Sequence, residues 1–398
     1  MRYYLVAGEA SGDLHGSNLI KGLKARDAQA EFRCWGGDLM AEAGAVLVKH
    51  YKENAIMGFV EVLANLNKIR RNLKACKQDI EAYAPDVLIL IDYPGFNFRI
   101  AEFAKKRGIK VFYYIAPKVW AWKESRVHKL KAYTDKLFII FPFETAYFKK
   151  WGIEAIYRGN PLLDSVDNYP YSQESREEFC TRVHIAPDKP FIALLAGSRR
   201  GEISYLLPRM QEVAARFPGY RFILAGAPSI ERSYYDAFLK NNGSGIEVLS
   251  GETYSILRHA EAAIISSGTA SLEAALLNTP QVVCYGGNEI SYQIAKRLVK
   301  LKYISLANLI MERGLFKELI QHDCTPGKIT EELNRLLKDP AYRANMLEDY
   351  RQVRTVLGGR GASEKVAAAM IEELNRMNNP TNTISYDPTY IQVPGSRE

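Results

Sequence analysis

The sequence predicts an α/β protein with two doubly wound, Rossmann-like domains that face each other across a cleft. Short apolar runs alternate with helical patterns, stop alternating between Pro161 and Pro190, and then alternate again. The run Val87–Ile91 is apolar at every position, as expected of a central parallel strand that is buried on both faces. A chain of 398 residues exceeds one typical hydrophobic core, so two domains are expected.

Each predicted domain has its own strands, separated by crossover helices. In the first domain we predict strands at Tyr3–Ala7, Glu31–Trp35, Val87–Ile91, Lys110–Ile115 and Lys136–Ile140. The helices between and after them are predicted at Leu14–Ala25, Asn65–Tyr83, Phe98–Arg107, Ser125–Tyr133 and Glu144–Trp151. In the second domain we predict strands at Phe191–Leu195, Arg221–Ala225, Glu247–Leu249, Ala263–Ser266 and Gln281–Tyr285. Its helices are predicted at Ile203–Phe217, Ile230–Leu239, Thr269–Leu277 and Ile290–Lys300.

The domain boundaries follow from these patterns. The first domain is expected over residues 1–165, a linker over 166–189 and the second domain over 190–345. Residues 346–378 are helical in pattern, with an interruption at Gly358-Gly359, and are expected to pack back on the first domain. The proline-containing stretch 379–398 is expected to be a loosely ordered tail.

The composition argues against several classes of protein. Five scattered cysteines without a CxxC pair argue against a disulfide framework and a structural zinc site, and they suit a reducing cytoplasm. No window approaches the roughly 20 apolar residues that span a bilayer, and Tyr3–Ala7 is too short for a signal-peptide core. The net charge of +8 fits an anionic membrane surface, a phosphorylated substrate or a plain basic surface. Nucleic-acid binding is disfavoured because the basic residues are dispersed and no RNA or DNA motif appears.

Two loops in the second domain carry the strongest functional signal. Each follows a buried strand and opens a helix, so unpaired backbone N–H groups and the helix dipole favour an anion there. Together they suggest a nucleotide diphosphate, with the first loop's guanidinium on the phosphates and the second loop's carboxylate on the ribose hydroxyls. The candidate residues are Gly197, Ser198, Arg199 and Glu202 in the first loop, and Ser267, Gly268, Thr269 and Glu273 in the second.

A carboxylate and a glycine-containing loop are the candidates in the first domain. Asp92 follows the Val87–Ile91 strand at the lip of the cleft, where partial desolvation raises a carboxyl pKa towards the range of a general base. Asp92 could instead cap the next helix, although Asn97 fits that position better. The loop after the first strand offers Gly8, Glu9, Ser11, Gly12 and Asp13; it lacks the dinucleotide GxGxxG pattern and could be a plain strand-to-helix turn.

Aromatic and basic segments complete the candidates. Trp120 and Trp122 could line a sugar or acyl chain, or simply pack in the core. The 65–77 stretch is a basic amphipathic helix with Lys68, Arg70, Arg71, Lys74 and Lys77 on its polar face. Such a helix can lie on an anionic bilayer, or it can cover its own sheet with a solvated charged face.

From Tyr4 to about Gln321, the sequence resembles the lipid-A-disaccharide synthases. These are inverting glycosyltransferases of the GT-B architecture. The matching blocks, as they stand in this chain, are Gly8-Glu9-Ala10-Ser11-Gly12-Asp13, Gly36-Gly37 with Met40, Met57-Gly58-Phe59-Val60-Glu61-Val62-Leu63, Ile91-Asp92 with Pro94 and Phe96-Asn97, Pro117 with Val119-Trp120-Ala121-Trp122, Pro142-Phe143-Glu144, Gly197-Ser198-Arg199 with Glu202, Ser267-Gly268-Thr269 with Leu272-Glu273, Asn308-Leu309-Ile310, and Glu318-Leu319 with Gln321. The chain departs from many members at Gly95, Asn160 and Ala196, where Asp, His and Pro are common.

The resemblance implies a defined reaction. A UDP-2,3-diacylglucosamine donor and a 2,3-diacylglucosamine 1-phosphate acceptor (lipid X) give a β-1,6-linked disaccharide phosphate and UDP, without a metal or another cofactor. The family acts in the cytoplasm, at the inner face of the inner membrane of Gram-negative bacteria. The resemblance places Asn308 and Gln321 near the donor, and Met57, Phe59, Glu61, Asn97, Trp120 and Trp122 on the acceptor side with the Gly8–Asp13 loop. In this interpretation Asp92 is the base and Arg199 stabilises the leaving diphosphate.

Two other functions remain possible from the sequence. A UDP-sugar epimerase would use the same donor site without a lipid acceptor, and a nucleotide-sugar or lipid-binding protein would tolerate loss of Asp92. A nicotinamide dehydrogenase is disfavoured by the first βα turn. The acyl-chain length and the oligomeric state are left open, so an oligomer is possible.

Overall fold

A computed structural model describes residues 1–54, 66–121, 123–239, 245–287 and 302–379. In these ranges the strands form two parallel sheets, of seven and six strands. The first sheet has the order β3-β2-β1-β4-β5-β6-β7 and the second β10-β9-β8-β11-β12-β13. The strands are β1 (Arg2–Ala7), β2 (Glu31–Gly36), β3 (Val46–His50), β4 (Val87–Ile91), β5 (Lys110–Tyr114), β6 (Lys136–Ile139), β7 (Ala155–Tyr157), β8 (Phe191–Leu195), β9 (Arg221–Gly226), β10 (Ile246–Ser250), β11 (Ala262–Ser266), β12 (Gln281–Tyr285) and β13 (Glu318–Ile320).

The central strands are those that the sequence predicts best. β4 and β8 have their predicted bounds, and every residue of both is buried, because helices cover both faces of a parallel sheet. The sequence missed β3, β7 and β13. These three lie at sheet edges and are only partly buried, so they lack the continuous apolar run of a central strand.

Helices connect the strands and cover the sheets. They are α1 (Ala10–Lys24), α2 (Asp38–Glu42), α3 (Leu66–Tyr83), α4 (Pro94–Lys106), α5 (Val127–Tyr133), α6 (Pro142–Lys150), α7 (Pro161–Asp167), α8 (Arg176–Arg182), α9 (Arg200–Ala214), α10 (Arg232–Leu239), α11 (Thr253–His259), α12 (Thr269–Leu276), α13 (Leu306–Ile310), α14 (Pro326–Lys338), α15 (Pro340–Val356) and α16 (Ala362–Asn378). None of the described helices has the length and hydropathy needed to cross a bilayer. The predicted helix at Ile290–Lys300 and the tail beyond 379 lie outside the described residues.

Several helices begin earlier than predicted. α1 starts at Ala10 rather than Leu14, and α4 starts at Pro94 rather than Phe98. Proline fits the first turn of a helix because it has no N–H to leave unpaired, so Pro94 begins the helix four residues before the predicted start. The expected linker, residues 166–189, contains the end of α7 and all of α8, and Asn160 caps the N-terminus of α7.

The chain passes between the two sheets twice. Leu162, Leu163 and Val166 of α7 pack in the hydrophobic cluster of the second sheet, as does α15 through residues such as Tyr350. α16 then returns to the first sheet, where it packs on α1: a Cβ on Gly22 would lie 2.9 Å from the Ala367 Cβ. The return therefore begins at residues 357–361, after α15, and not at 346.

Asp164 fixes this return. Its carboxylate accepts hydrogen bonds from the backbone N–H groups of Gly361 (2.7 Å) and Ser363 (2.9 Å) at the start of α16. A carboxylate at a helix N-terminus pairs otherwise unsatisfied donors and complements the helix dipole. The two crossings are thereby tied together beside Gly159, whose Cβ would lie 3.1 Å from that of Ala362.

Candidate functional site

The first candidate region lies where the strand order of the first sheet reverses. β1 and β4 are neighbours at the centre, with β2 and β3 on one side and β5 to β7 on the other. Ala7 pairs with Ile91, so the loop after Ala7 and the turn after Ile91 leave the sheet side by side. Ligands of open α/β sheets bind in the crevice at such a reversal, beyond the carboxyl ends of the strands. The Gly8–Asp13 segment and Asp92 both lie at this edge.

The second candidate region has the same relation to the other sheet. β8 and β11 are its central neighbours, and the strand order again reverses between them. The Gly197–Arg199 loop follows β8, and the Ser267–Thr269 loop follows β11. The two loops predicted to bind a diphosphate are therefore adjacent. Each leads into a helix, α9 or α12, whose first backbone N–H groups point towards the crevice.

Asp92 lies at the carboxyl end of β4 in an unusual backbone conformation. Its φ is +41° and that of Tyr93 is +47°, a left-handed region that costs a non-glycine residue about 1–3 kcal/mol. The side chain is open to solvent, yet it lies deep among protein atoms, as on the floor of a crevice. Desolvation, followed by the charge of Glu9, raises the pKa of Asp92 to about 6, while Lys118 opposes the rise.

Asn97 does not cap the helix as predicted. It lies in the first turn of α4, is fully buried, and donates from Nδ2 to the carbonyl oxygens of Asp92 (2.8 Å) and Ile91 (3.2 Å). An acceptor-side contact with substrate is also excluded in this conformation, because the side chain is shielded from the crevice. Its contacts place Asn97 behind the Asp92 turn.

The Gly8–Asp13 segment divides into exposed and buried residues. Glu9 and Ser11 are exposed at the crevice edge, while Gly12 packs on Ala7 within α1. Gly8 has no room for a side chain, because a Cβ would lie 2.3 Å from the Tyr93 ring.

Asp13 is an internal cap rather than a ligand of an acceptor. It is buried and accepts hydrogen bonds from the backbone N–H groups of Gly37 (2.8 Å), Leu39 (3.1 Å) and Met40 (3.0 Å). These contacts hold the start of α2, so the acceptor-side assignment of Asp13 is corrected to a structural one.

Arg199 is an exposed cation at the second crevice. It is the N-cap of α9, and its side chain is 72% exposed. Glu202 lies 3.6 Å from the guanidinium and accepts the N–H of Ser198 at 3.0 Å. Gly197 has φ +110°, and its missing Cβ leaves the room that the Glu202 carboxylate fills. Glu202 therefore shapes the loop, and its contact with UDP stays a prediction.

Glu273 lies on α12, one turn beyond Ser267, Gly268 and Thr269. It is half-buried, and its Oε1 accepts a hydrogen bond from the Tyr254 hydroxyl at 2.9 Å. Burial raises the pKa of Glu273, and the hydrogen bond from Tyr254 opposes the rise. Its Oε2 receives no hydrogen bond from any described residue, so one carboxylate oxygen is left for a hydroxyl donor.

The side chains of Asn308 and Gln321 form hydrogen bonds within the protein and are buried. Asn308 is fully buried, donates to Glu318 (2.9 Å) and accepts the Leu315 N–H (2.8 Å). Gln321 exchanges two hydrogen bonds with the backbone of Gly287, at the end of β12. A direct donor contact is thus incorrect for Asn308, and Gln321 holds the turn after β12.

Trp120 is tied to a buried acid that sequence reasoning did not select as a site residue. Its indole N–H donates to Glu144 Oε1 at 3.0 Å, and its ring meets Phe143 edge-on. Burial raises the pKa of Glu144 to about 7, although the Trp120 bond, two backbone N–H groups and Lys118 oppose it. Trp122, Met57, Phe59 and Glu61 lie outside the described residues.

Lys118 is a second residue that the predictions did not select. It is exposed, while Pro117 and Val119 on either side are buried, so its backbone is firmly placed. Its charge acts on both Asp92 and Glu144. The sequence signal was a lysine between two apolar residues directly after a buried strand. Within the described ranges, no group of three or more His, Cys, Asp or Glu side chains could hold a metal ion.

A family model and curated relatives match the chain over nearly its full length. The lipid-A-disaccharide synthetase model matches residues 3–371. The lipid-A-disaccharide synthase of Geobacter metallireducens is 38% identical over 94% of this chain and 98% of its own. That of Geobacter sulfurreducens is 36% identical over the same shares.

Solved structures share the fold at much lower identity. UDP-GlcNAc 2-epimerase from Neisseria meningitidis, bound to UDP-GlcNAc, has a TM-score of 0.63 at 12% identity, covering 94% of this chain and 100% of its own. The S. aureus MnaA-UDP co-structure has a TM-score of 0.66 at 14% identity, covering 98% and 100%. At such identities the likeness shows the two-domain architecture alone, which agrees with the predicted GT-B fold.

Proposed function

The chain belongs to the lipid-A-disaccharide synthetase family, and on that premise we propose how its two crevices divide a glycosyl transfer. The enzyme is an inverting hexosyltransferase. It joins UDP-2,3-diacylglucosamine to 2,3-diacylglucosamine 1-phosphate, giving the β-1,6-linked disaccharide 1-phosphate and UDP. The observation that carries the division is the strand order: in each sheet, the predicted residues follow the two strands at which that order reverses.

The donor binds at the second sheet. Arg199 and the first N–H groups of α9 and α12 face the diphosphate, where they stabilise the charge that develops as UDP leaves. Glu273 accepts a hydrogen bond from a ribose hydroxyl through Oε2, while the Tyr254 hydroxyl donates to Oε1 and holds the carboxylate in place. Gly268 contributes a backbone donor, while Glu202, which accepts the hydrogen bond of the Ser198 N–H, and Gln321 keep the surrounding turns in place.

The acceptor binds at the first sheet. Asp92 accepts the proton of the acceptor 6-hydroxyl, and Glu9 and Ser11 lie beside it on the exposed part of the loop. A carboxyl pKa near 6 leaves the base ionised at neutral pH, yet more basic than an ordinary aspartate. The charge of Lys118 acts on the same carboxylate and favours its ionised form.

One displacement then completes the reaction. The acceptor oxygen forms a bond to the anomeric carbon of the donor as the bond from that carbon to the UDP oxygen breaks. The acceptor proton moves to Asp92, and the electron pair of the broken bond leaves with UDP, next to Arg199. A single in-line step inverts the configuration at the anomeric carbon.

An anionic membrane surface is the proposed location of this reaction, on the cytoplasmic side of the inner membrane. α3 has an exposed basic face that includes Arg70, Arg71 and Lys74. Its Cys76 and Ile80 are buried against the first sheet, so its later turns cover the protein, while Ile69 nearer its start is half-buried. A basic face beside a diacylated acceptor suits attraction to anionic lipid headgroups.

The direct test is to incubate the protein with a synthetic diacyl donor and lipid X and to follow products by mass spectrometry. The expected products are the disaccharide 1-phosphate and UDP in equal amounts. Incubation with water-soluble UDP-GlcNAc alone is the matched control, and no epimer is expected from it. Epimerisation of UDP-GlcNAc without disaccharide formation would refute the proposed function.

A further inference from the structure

The Asp92 turn is held from behind by a buried tyrosine. Tyr113 lies on β5 opposite Leu90 of β4 and is fully buried. Its hydroxyl donates to the backbone carbonyl of Asp92 at 2.6 Å. The same carbonyl accepts the Asn97 amide at 2.8 Å, so two buried side chains converge on one oxygen.

The turn needs such support because its backbone is unfavourable. Asp92 and Tyr93 are consecutive non-glycine residues with φ of +41° and +47°. Residues other than glycine keep this conformation only where their surroundings enforce it. The Asp92 N–H donates to the carbonyl oxygen of Tyr114 at the end of β5, at 3.1 Å. The carbonyl is the second polar backbone group of Asp92. Its direction determines where the carboxylate of the same residue points.

We propose that Tyr113 is a positioning residue for the transfer: its hydroxyl, with Asn97, locks the left-handed Asp92 turn and so aims the carboxylate at the acceptor hydroxyl. This inference rests on the proposed role of Asp92 as the base. Tyr113 does not itself contact substrate, because the hydroxyl lies beneath the turn and the ring packs near Phe98.

Because of the charges around Asp92, a change in the position of its carboxylate should change its pKa, which can be measured. Glu9 from the loop after β1 and Lys118 from the segment after β5 face the carboxylate with opposite charges. Of the described titratable side chains, Tyr113 and Tyr93 belong to this turn or hold it, and the charge of Arg126 acts on Tyr113. A turn that relaxes outward leaves the desolvated position beside Glu9, so the carboxyl pKa returns towards that of an exposed aspartate.

The test compares two neighbouring tyrosines of the same strand. Tyr113→Phe removes the hydroxyl that donates to Asp92, and Tyr114→Phe removes a buried hydroxyl on the opposite face of the same sheet, near Ser363. We expect Tyr113→Phe to lower kcat about tenfold to a hundredfold with little change in KM for the donor, since misplacement by about 1 Å has effects of this size. The acid limb of its kcat/KM profile should move to lower pH. Tyr114→Phe should change neither.

The outcomes separate this inference from the proposed function. If Tyr113→Phe has the same kcat and the same acid limb as Tyr114→Phe, the positioning role is overturned. This holds even if Asp92→Asn is inactive. A fully active Asp92→Asn enzyme would instead remove the base on which the inference rests. If Tyr113→Phe does not fold, Asn97→Ser replaces it, because it removes the other donor to the same carbonyl. We expect Asn97→Ser to lower kcat and to move the acid limb of kcat/KM to lower pH. An acid limb at the wild-type pH in Asn97→Ser would overturn the inference.

Discussion

The two crevices have the same topology and opposite chemistry. In the first sheet, a carboxylate stands on a strained turn, and buried side chains hold that turn from behind. In the second, a guanidinium is largely exposed on a glycine-containing loop at a helix N-terminus. Glu202 lies 3.6 Å from this guanidinium and partly neutralises it.

The difference follows from what each group does. A general base benefits from partial desolvation and a fixed direction, which raise its pKa and align it with one proton. A diphosphate is large, charged and hydrated, so its site must be open, cationic and rich in backbone donors. The same fold supplies both because the reversal of strand order places two loops side by side in each sheet.

The largest effect is expected from Asp92→Asn. An amide cannot take the acceptor proton, so kcat should fall by about 10²- to 10⁴-fold, measured as disaccharide formation. Folding should not suffer at neutral pH. Because the folded-state pKa of Asp92 is raised from 3.8 to about 6, ionisation of Asp92 lowers stability as the pH rises between these two values, and the loss is complete at neutral pH. Asp92→Asn should therefore leave the melting temperature at neutral pH unchanged or higher.

Asp86→Asn is the matched control for that variant. Asp86 precedes the same strand at its opposite end, where it accepts the N–H of Arg2, and it should keep near-normal turnover. Near-normal turnover of Asp92→Asn would remove the base assignment.

The next effect belongs to the other crevice. Arg199→Ala should lower turnover about 10²- to 10³-fold, because the leaving diphosphate loses its guanidinium partner. Arg199→Lys should recover only part of this loss, since an ammonium cannot form the bidentate contact. Arg200→Ala is the control: Arg200 is also exposed but lies over the Tyr234 ring, 4.9 Å from its centroid. Equal losses at positions 199 and 200 would contradict a specific role for Arg199.

The pH dependence sharpens the comparison further. With a base of pKa about 6, kcat/KM should fall as pH drops below about 6, because the protonated carboxyl cannot accept a proton. Glu9→Gln removes a repelling charge and should move this acid limb to lower pH. Lys118→Met removes a stabilising charge and should move it to higher pH. Shifts in the same direction for both variants would be inconsistent with the charge arrangement described for the first crevice.

The smallest effect on chemistry is expected at the proposed membrane face. Joint reversal of Arg70, Arg71 and Lys74 to Glu should weaken cosedimentation with anionic vesicles, while turnover on detergent-dispersed substrates stays within about twofold, because surface charges act mainly through attraction to the bilayer. The control reverses exposed lysines around the second sheet: Lys189, Lys317 and Lys338. Unchanged vesicle binding by the α3 variant would reject this face.

Sequence patterns located the two crevices but not their internal contacts. Five consecutive buried apolar residues in β4 place Asp92 at a strand end, and the same reasoning finds the loops after β8 and β11. Asp13, Asn97 and Asn308 were misassigned because a polar residue in a motif can bind either a ligand or the protein's own backbone. That choice depends on contacts with segments distant in sequence, which local patterns do not encode. The role of Tyr113 could not be predicted for the same reason, because a tyrosine in a buried strand is taken for a core residue until the hydrogen-bond partner of its hydroxyl is known.

The central claim is that base and diphosphate site are separate, one in each sheet, and UDP affinity tests it most directly. Isothermal titration with UDP should give wild-type affinity for Asp92→Asn and at least about tenfold weaker affinity for Arg199→Ala, since a charge-assisted contact contributes about 1.5–3 kcal/mol. Weakened UDP binding by Asp92→Asn together with wild-type binding by Arg199→Ala would contradict the division.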